Sequence, residues 1–126
     1  MKFSHLPLKA QVTEEVVDQV LQFGWAAEPE EACGVLTPDS WVVRLPNVSP
    51  RPLSSFWIDS EDLVSVFLEY AIRENLSPNL LTKEMFTIWH THPGGVVGPS
   101  KGDILAKLEG FQYLVITLPT GEATIF

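Results

Sequence analysis

The sequence predicts an α/β domain whose mixed β-sheet has about five or six strands and is flanked by helices. Segments with apolar residues at helical spacing alternate with short runs of β-branched and aromatic residues, which are typical of strands. The composition is 45% hydrophobic and 19% charged, which is ordinary for a globular protein with a core. The length of 126 residues suits a single domain over residues 1–126.

The first part of the chain is predicted to contain a helix and a β-hairpin. The helix covers residues 13–27, where Thr13 can act as the N-cap and two glutamates complement the helix dipole in the first turn. The apolar run 32–36 predicts a strand, and residues 41–45 predict its hairpin partner after a turn.

The middle of the chain is predicted to continue the alternation of strands and helices. A proline-rich loop precedes a short strand at 55–58, and Asp59 or Ser60 can cap a helix over about 61–74. After a turn-rich connection, residues 85–89 predict a buried strand.

The last part is predicted to add one helix and two strands. The helix covers about residues 101–109 and ends at Gly110 as its C-cap. Its apolar side chains are expected to face the core; they are Ile104, Leu105 and Leu108. Residues 111–118 and 123–126 predict strands that pair around a turn.

Charge and composition exclude several functions. The net charge of −8 and the isoelectric point near 4.7 repel phosphate backbones, so no nucleic-acid partner is expected. No apolar run approaches the roughly 20 residues of a membrane span, and the N-terminus lacks the apolar core of a signal peptide. A single cysteine favours the reducing cytoplasm and excludes zinc sites that need paired cysteines.

The tryptophans are assigned a role in packing, and the first histidine is assigned no role. Most of the four tryptophans are expected to be buried or half-buried, because large aromatic side chains contribute to packing. They are Trp25, Trp41, Trp57 and Trp89. Trp89 should point away from His90, because adjacent strand residues face opposite sides. His5 is expected to be exposed in a polar segment.

A metal site is predicted where the strand at 85–89 ends. His90 and His92 stand two residues apart, so on a strand both imidazoles face the same side. A loop rich in glycine and proline follows, and it can bring Asp103 beside them as a third ligand. Two neutral imidazoles and one carboxylate suit a catalytic zinc ion, which keeps a coordination position open for water. Ser100 and Asp103 also fit a simpler role as the cap and the acidic first turn of a helix.

The spacing of these residues resembles the JAMM motif, also called the MPN-plus or JAB motif, of a family of zinc metallopeptidases. His90-Thr-His92-Pro and Asp103 match its metal-binding part, with ten residues between His92 and Asp103. Ser100 stands three residues before Asp103, where the motif has a serine.

The same family requires a glutamate far upstream, two residues before a Cys-Gly pair. That position is occupied here by Glu31 rather than by Glu30. Taken alone, a glutamate that follows a helix is usually a solvated surface residue. The presence of the downstream residues reverses that interpretation.

The resemblance covers most of the chain and implies the JAMM fold, an α-β-α arrangement similar to the cytidine deaminases, with one zinc ion per chain. It implies that His90, His92 and Asp103 hold the zinc. It implies that Glu31 moves protons and that Ser100 donates a hydrogen bond to the oxyanion. Deaminase activity itself is disfavoured, because the Pro-Cys-x-x-Cys ligand pair of those enzymes is absent.

The function implied by the resemblance is zinc-dependent hydrolysis of a peptide or isopeptide bond. The expected partner is a protein or peptide substrate, such as a ubiquitin-like protein or a phage tail protein. A looser resemblance, in the proline-rich loop and in Phe56-Trp57-Ile58-Asp59, is to the JAMM domains of bacteriophage tail-tip assembly proteins. The expected location is the cytoplasm, or the virion for a phage protein.

Two alternatives remain open. The domain could be a non-catalytic scaffold of the MPN-minus kind, although those lack at least one of the five residues. It could also be a tail-assembly factor whose zinc serves chiefly stability.

Overall fold

The computed structural model of the protein describes residues 9–126, so the expectation for His5 lies outside the described residues. Helices and strands alternate along this part of the chain, with two short 3₁₀ turns before the third strand. In order they are α1 Glu14–Ala27, β1 Cys33–Leu36, β2 Val42–Leu45, α2 Ser60–Arg73, the 3₁₀ turns Pro78–Leu80 and Lys83–Met85, β3 Thr87–His92, α3 Lys101–Ala106, β4 Gln112–Thr117 and β5 Ala123–Ile125.

The five strands of the described residues form one mixed sheet in the order β2-β1-β3-β4-β5. β1 is antiparallel to both β2 and β3, β3 is parallel to β4, and β5 is antiparallel to β4. The predicted fold class, an α/β domain with a mixed sheet and flanking helices, is therefore confirmed. The parallel pair β3–β4 is joined through α3, which carries the chain from the end of one strand to the start of the other.

Two apolar clusters hold the helices on the sheet. On one side, Val16 and Val20 of α1 pack with Trp89, Leu114 and Ile116 of the sheet. The other cluster joins α2 to the sheet and contains Val35, Val66, Tyr70, Met85, Phe86, Ile88, Phe111 and Tyr113. These clusters bury both sides of β3, whose six residues are all buried. β3 is the strand that carries both histidines of the predicted site.

The capping predictions agree with the structure at both long helices. Thr13 accepts a hydrogen bond from the Val16 amide at the start of α1, and Asp59 accepts one from the Glu61 amide at the start of α2. Each side chain satisfies one of the amides that a helix leaves without an intrahelical partner.

Three local predictions were wrong. Residues 55–58 form no strand, because their backbone is tied to the preceding loop rather than to the sheet: the Val48 amide donates to the Trp57 carbonyl. α3 ends at Ala106, and Gly110 occupies a separate turn with φ +97°. The three apolar residues expected to face the core from this helix are instead exposed, by 52%, 80% and 53% for Ile104, Leu105 and Leu108, and Leu108 lies beyond the end of α3.

The expectation for the tryptophans holds only in part. Trp89 is fully buried and stacks on Phe23, as its position on β3 predicts. Trp25, Trp41 and Trp57 are exposed. None of the helices in residues 9–126 has the length and apolar character that crossing a membrane requires.

Candidate metal centre

Strand β3 places His90 and His92 side by side. Their Nε2 atoms lie 3.1 Å apart, and both side chains are buried. The loop after β3 returns the chain so that α3 begins beside them, and Asp103 Oδ2 lies 3.1 Å from His90 Nε2 and 3.0 Å from His92 Nε2. Three potential ligand atoms, two nitrogens and one carboxylate oxygen, therefore form a nearly equilateral triangle.

Antiparallel pairing explains why Glu31 reaches the same place. Cys33 of β1 is opposite His90 of β3, so the register continued by two residues brings Glu31 opposite His92. Residues directly opposite each other on an antiparallel pair share a face of the sheet. Two hydrogen bonds between Ala32 and Thr91, of 2.9 and 3.0 Å, extend this pairing to the site.

The Glu31 side chain is buried and close to the histidines. Its Oε2 atom lies 4.0 Å from His92 Nε2, and its Oε1 atom has no hydrogen-bond partner within residues 9–126. Glu31, His90 and His92 each offer a ligand atom within 4.8 Å of the others, so this buried group could hold a metal ion. Asp103 lies nearer to both imidazoles than Glu31 does, which makes Asp103 the better third ligand and leaves Glu31 beside the triangle.

The contacts of His92 and the size of the triangle both fit a metal ion. His92 Nδ1 lies 3.2 Å from the Val96 carbonyl, which can only accept, so Nδ1 carries a proton, and when the ring is neutral the lone pair of Nε2 faces Asp103. A lone pair and a carboxylate oxygen at 3.0 Å need a proton or a cation between them. Ligands at the usual zinc distances in a tetrahedral site are separated by about 3.3 Å, close to the edges of the triangle.

Burial and the neighbouring carboxylate shift the pKa values of these groups. Burial lowers the pKa of His90, which favours the neutral imidazole that metal ligation requires. Burial alone would raise the pKa of Asp103, but the hydrogen bonds from His90 and His92 outweigh it and hold that pKa well below its usual range. The carboxylate is therefore ionised.

The pKa values of Glu31 and Cys33 are raised, whereas that of Asp103 is lowered, because no strong hydrogen-bond donor faces Glu31 or Cys33. Burial raises the pKa of Glu31 to about 7, with His92 opposing the shift and Asp103 adding to it. A carboxylate with a pKa near 7 can both accept and release a proton at neutral pH. Burial also raises the pKa of Cys33 to about 12, so this thiol stays protonated and is a poor metal ligand.

Ser100 is the N-cap of α3 and lies beside the candidate site. Its Oγ atom accepts a hydrogen bond from the Asp103 amide, and its own amide donates to Asp103 Oδ2. The simpler role predicted for this pair is thus present, and it holds the Asp103 carboxylate in place.

A cavity of about 220 Å³, which we call the site cavity, is lined by Glu31, Leu53, Ser54, His92, Pro93, Gly94, Val96 and Ser100. The structure brings all five predicted residues together around one small region.

Two residues beside the site were missed in the sequence. The ring of Phe56 stacks on His90 with 4.4 Å between centroids and covers one face of this imidazole. Asn47 holds the backbone of Glu31: its Nδ2 atom donates to the Glu31 carbonyl and to the Ser55 carbonyl, both at 3.0 Å. Its Oδ1 atom accepts from two further amides, those of Ser49 and Trp57. A lone asparagine in a proline-rich loop carries no sequence signal for this role.

We expect Asn47→Ala to lower the free energy of unfolding by about 2 kcal/mol, because it removes four hydrogen bonds to backbone groups, three of them partly buried. It should also lower any hydrolytic activity, because Glu31 loses the contact that fixes its carbonyl. Denaturant unfolding would measure the stability change, with Asn79→Ala as the control, since Asn79 is exposed. A loss no larger than that of the control would show that the loop does not depend on Asn47.

Comparison with known proteins agrees with this arrangement. The family model described as prokaryotic homologs of the JAB domain matches residues 13–125, from the cap of α1 to the last strand. No curated protein matches the chain. The match spans nearly the whole sequence and contains every residue of the candidate site. The chain therefore belongs to the family of prokaryotic JAB-domain homologues.

Proposed function

We propose that the protein is a zinc-dependent hydrolase that cleaves a peptide or isopeptide bond in a protein or peptide substrate. One observation carries the proposal. A buried carboxylate, Glu31, whose pKa is raised to about 7, lies 4.0 Å from a nitrogen of the triangle His90–His92–Asp103 and lines the same cavity as His92. A set of metal ligands with a proton-transfer group beside it is the arrangement that metal-assisted hydrolysis needs.

His90, His92 and Asp103 would hold the metal ion, and two nitrogens with one carboxylate oxygen form a donor set that suits zinc. When bound, zinc supplies a Lewis acid that polarises the scissile carbonyl and acidifies a water molecule. His92 is oriented for this role by its hydrogen bond to Val96, and Asp103 by its hydrogen bond from Ser100.

Glu31 performs the proton transfers in the proposed reaction. It accepts a proton from the attacking water as the water oxygen bonds to the carbonyl carbon. It then delivers that proton to the amine nitrogen as the C–N bond breaks. The Ser100 hydroxyl oxygen accepts from the Asp103 amide, so its hydrogen remains free to donate to the developing oxyanion. One such donor typically contributes about 3–4 kcal/mol to lowering the barrier.

The non-catalytic alternatives are less well supported by this geometry. A structural zinc site has four protein ligands and is closed to solvent. Here three ligand atoms lie within 3.1 Å of one another, whereas Glu31 is set apart and faces a cavity. A scaffold needs no carboxylate there, and a buried carboxylate without a strong partner costs stability.

Incubation with a diverse peptide library, and with linear fusions to ubiquitin-like proteins, tests the proposal. We expect the zinc-loaded protein to cleave some of these substrates, a chelator to stop cleavage, and added zinc to restore it. Mass spectrometry of the products would identify the cleaved bonds. Cleavage that survives complete metal removal would contradict the mechanism. A protein that binds stoichiometric zinc but cleaves nothing would favour the structural alternative.

A further inference from the structure

A second and larger cavity adjoins the site cavity and differs from it in chemistry. Its volume is about 360 Å³, within the usual range for ligand pockets. We call it the aromatic pocket, and its main walls are Phe56, Trp57, Leu63, Ala106, Tyr113 and Phe126. We infer that the aromatic pocket is a specificity subsite that receives a bulky apolar side chain of the substrate, on the side of the scissile bond that keeps the carbonyl. This inference rests on the proposed function.

The site cavity and the aromatic pocket share part of their lining. Ser54 and Ser100 line both of them, and Asp103 of the metal triangle lines the aromatic pocket. The ring of Phe56 stacks on His90 and also lines the aromatic pocket. A substrate bound over the metal triangle would therefore reach the aromatic pocket directly past the two serines.

Three polar groups of the aromatic pocket are already engaged and its main walls are apolar, which favours an apolar occupant. The Tyr113 hydroxyl accepts from the Leu108 amide at 2.8 Å, and the Asp103 carboxylate contacts both histidines. The Ser55 hydroxyl interacts with Ser49 and the Arg51 carbonyl. A charged side chain would lose much of its hydration between these apolar walls.

A positive charge near two rings of the aromatic pocket further narrows the class of occupant. The ammonium group of Lys107 lies 6.0 Å from the ring centre of Tyr113 and 5.9 Å from that of Phe126. This cation disfavours the entry of a lysine or arginine side chain through like-charge repulsion. An aromatic or long aliphatic side chain has no such conflict and can pack on the rings.

The position of Glu31 assigns the side of the scissile bond. Glu31 lines the site cavity and not the aromatic pocket, so the amine that takes its proton leaves on the site-cavity side. Ser100, the proposed oxyanion donor, stands between the two cavities. The part of the substrate that keeps the carbonyl therefore extends towards the aromatic pocket.

Binding of product-like peptides tests the inference without requiring turnover. The probes are N-acetylated alanine tripeptides with a free carboxylate, carrying phenylalanine at the last or the second-last position, and the all-alanine peptide. We expect the zinc-loaded protein to bind one of the phenylalanine peptides about tenfold to a hundredfold more tightly than the alanine peptide, because a phenyl ring is buried. Isothermal titration calorimetry would measure the affinities.

A variant that fills the pocket provides the matched comparison. Ala106 is exposed and lines the aromatic pocket, so Ala106→Trp should fold and remove the preference for phenylalanine. Ala26→Trp places the same side chain at an exposed position of α1 and should keep the preference. Equal binding of all peptides by the unaltered protein, or a preference that survives Ala106→Trp, would overturn the inference.

The binding and cleavage results separate the two proposals. If phenylalanine is preferred in binding but no peptide is cleaved, the aromatic pocket stands and the hydrolase proposal fails. If peptides are cleaved without any preference for an apolar residue on the carbonyl side, the hydrolase proposal stands and the subsite is excluded.

Discussion

Replacement of Glu31 by glutamine is expected to lower kcat by about 10²–10⁴-fold, the usual contribution of a positioned general base. Glutamine has nearly the same shape but cannot accept a proton from water. Because the Glu31 carboxylate has no strong partner among the described residues, its replacement should leave the fold and the metal content unchanged. The cleavage rate of a substrate found in the library, together with elemental analysis, would test this expectation.

The neighbouring residue supplies a control for this substitution. Glu30 is an exposed glutamate next to the site residue, so Glu30→Gln changes the net charge equally but should retain full activity. This comparison also tests the choice between the two adjacent glutamates. If Glu31→Gln cleaves the substrate at the unaltered rate, Glu31 is not the general base and the mechanism must be revised.

Replacement of Asp103 by asparagine is expected to weaken zinc binding by more than about 100-fold. Even groups that only orient a metal ligand contribute roughly 10–100-fold to affinity, and Asp103 would be a ligand itself. Asparagine keeps an oxygen that can accept from the Ser100 amide, so the start of α3 should persist while the negative charge is lost. Competition with a chromophoric chelator would measure the affinity.

An acidic residue far from the site controls for the change in charge. Asp18 is exposed on α1, so Asp18→Asn should bind zinc as the unaltered protein does. Stoichiometric zinc at unaltered affinity in Asp103→Asn would mean that another residue completes the ligand set. Glu31 would then be the first candidate, because it is in the buried group with the two histidines.

The pattern of the sequence predicted the elements that are governed by local rules. Thr13 and Asp59 cap α1 and α2 because their side chains satisfy amides within the same turn. The spacing of His90 and His92 places both on one face of β3 because side chains alternate along a strand. The fold class follows from the alternation of such elements.

Predictions that depended on distant packing were less accurate. The apolar residues of α3 were expected in the core because they lie at helical spacing, yet the helix is short and lies beside the site. The segment at 55–58 has strand-like residues, but its hydrogen bonds go to Asn47 and Val48 instead of a neighbouring strand. Apolar periodicity indicates which residues prefer burial. It does not show whether the rest of the chain provides a surface against which they can be buried.

The sequence by itself determined the order of helices and strands apart from the segment at 55–58, the shared face of His90 and His92, and the motif that marks Glu31, Ser100 and Asp103. Only the tertiary structure decided that Glu31 stands opposite His92, that Asn47 ties its backbone, and that an apolar pocket opens beside Asp103. These features arise where segments far apart in the chain meet. Their geometry depends on strand register and loop contacts, which local side-chain preferences do not encode.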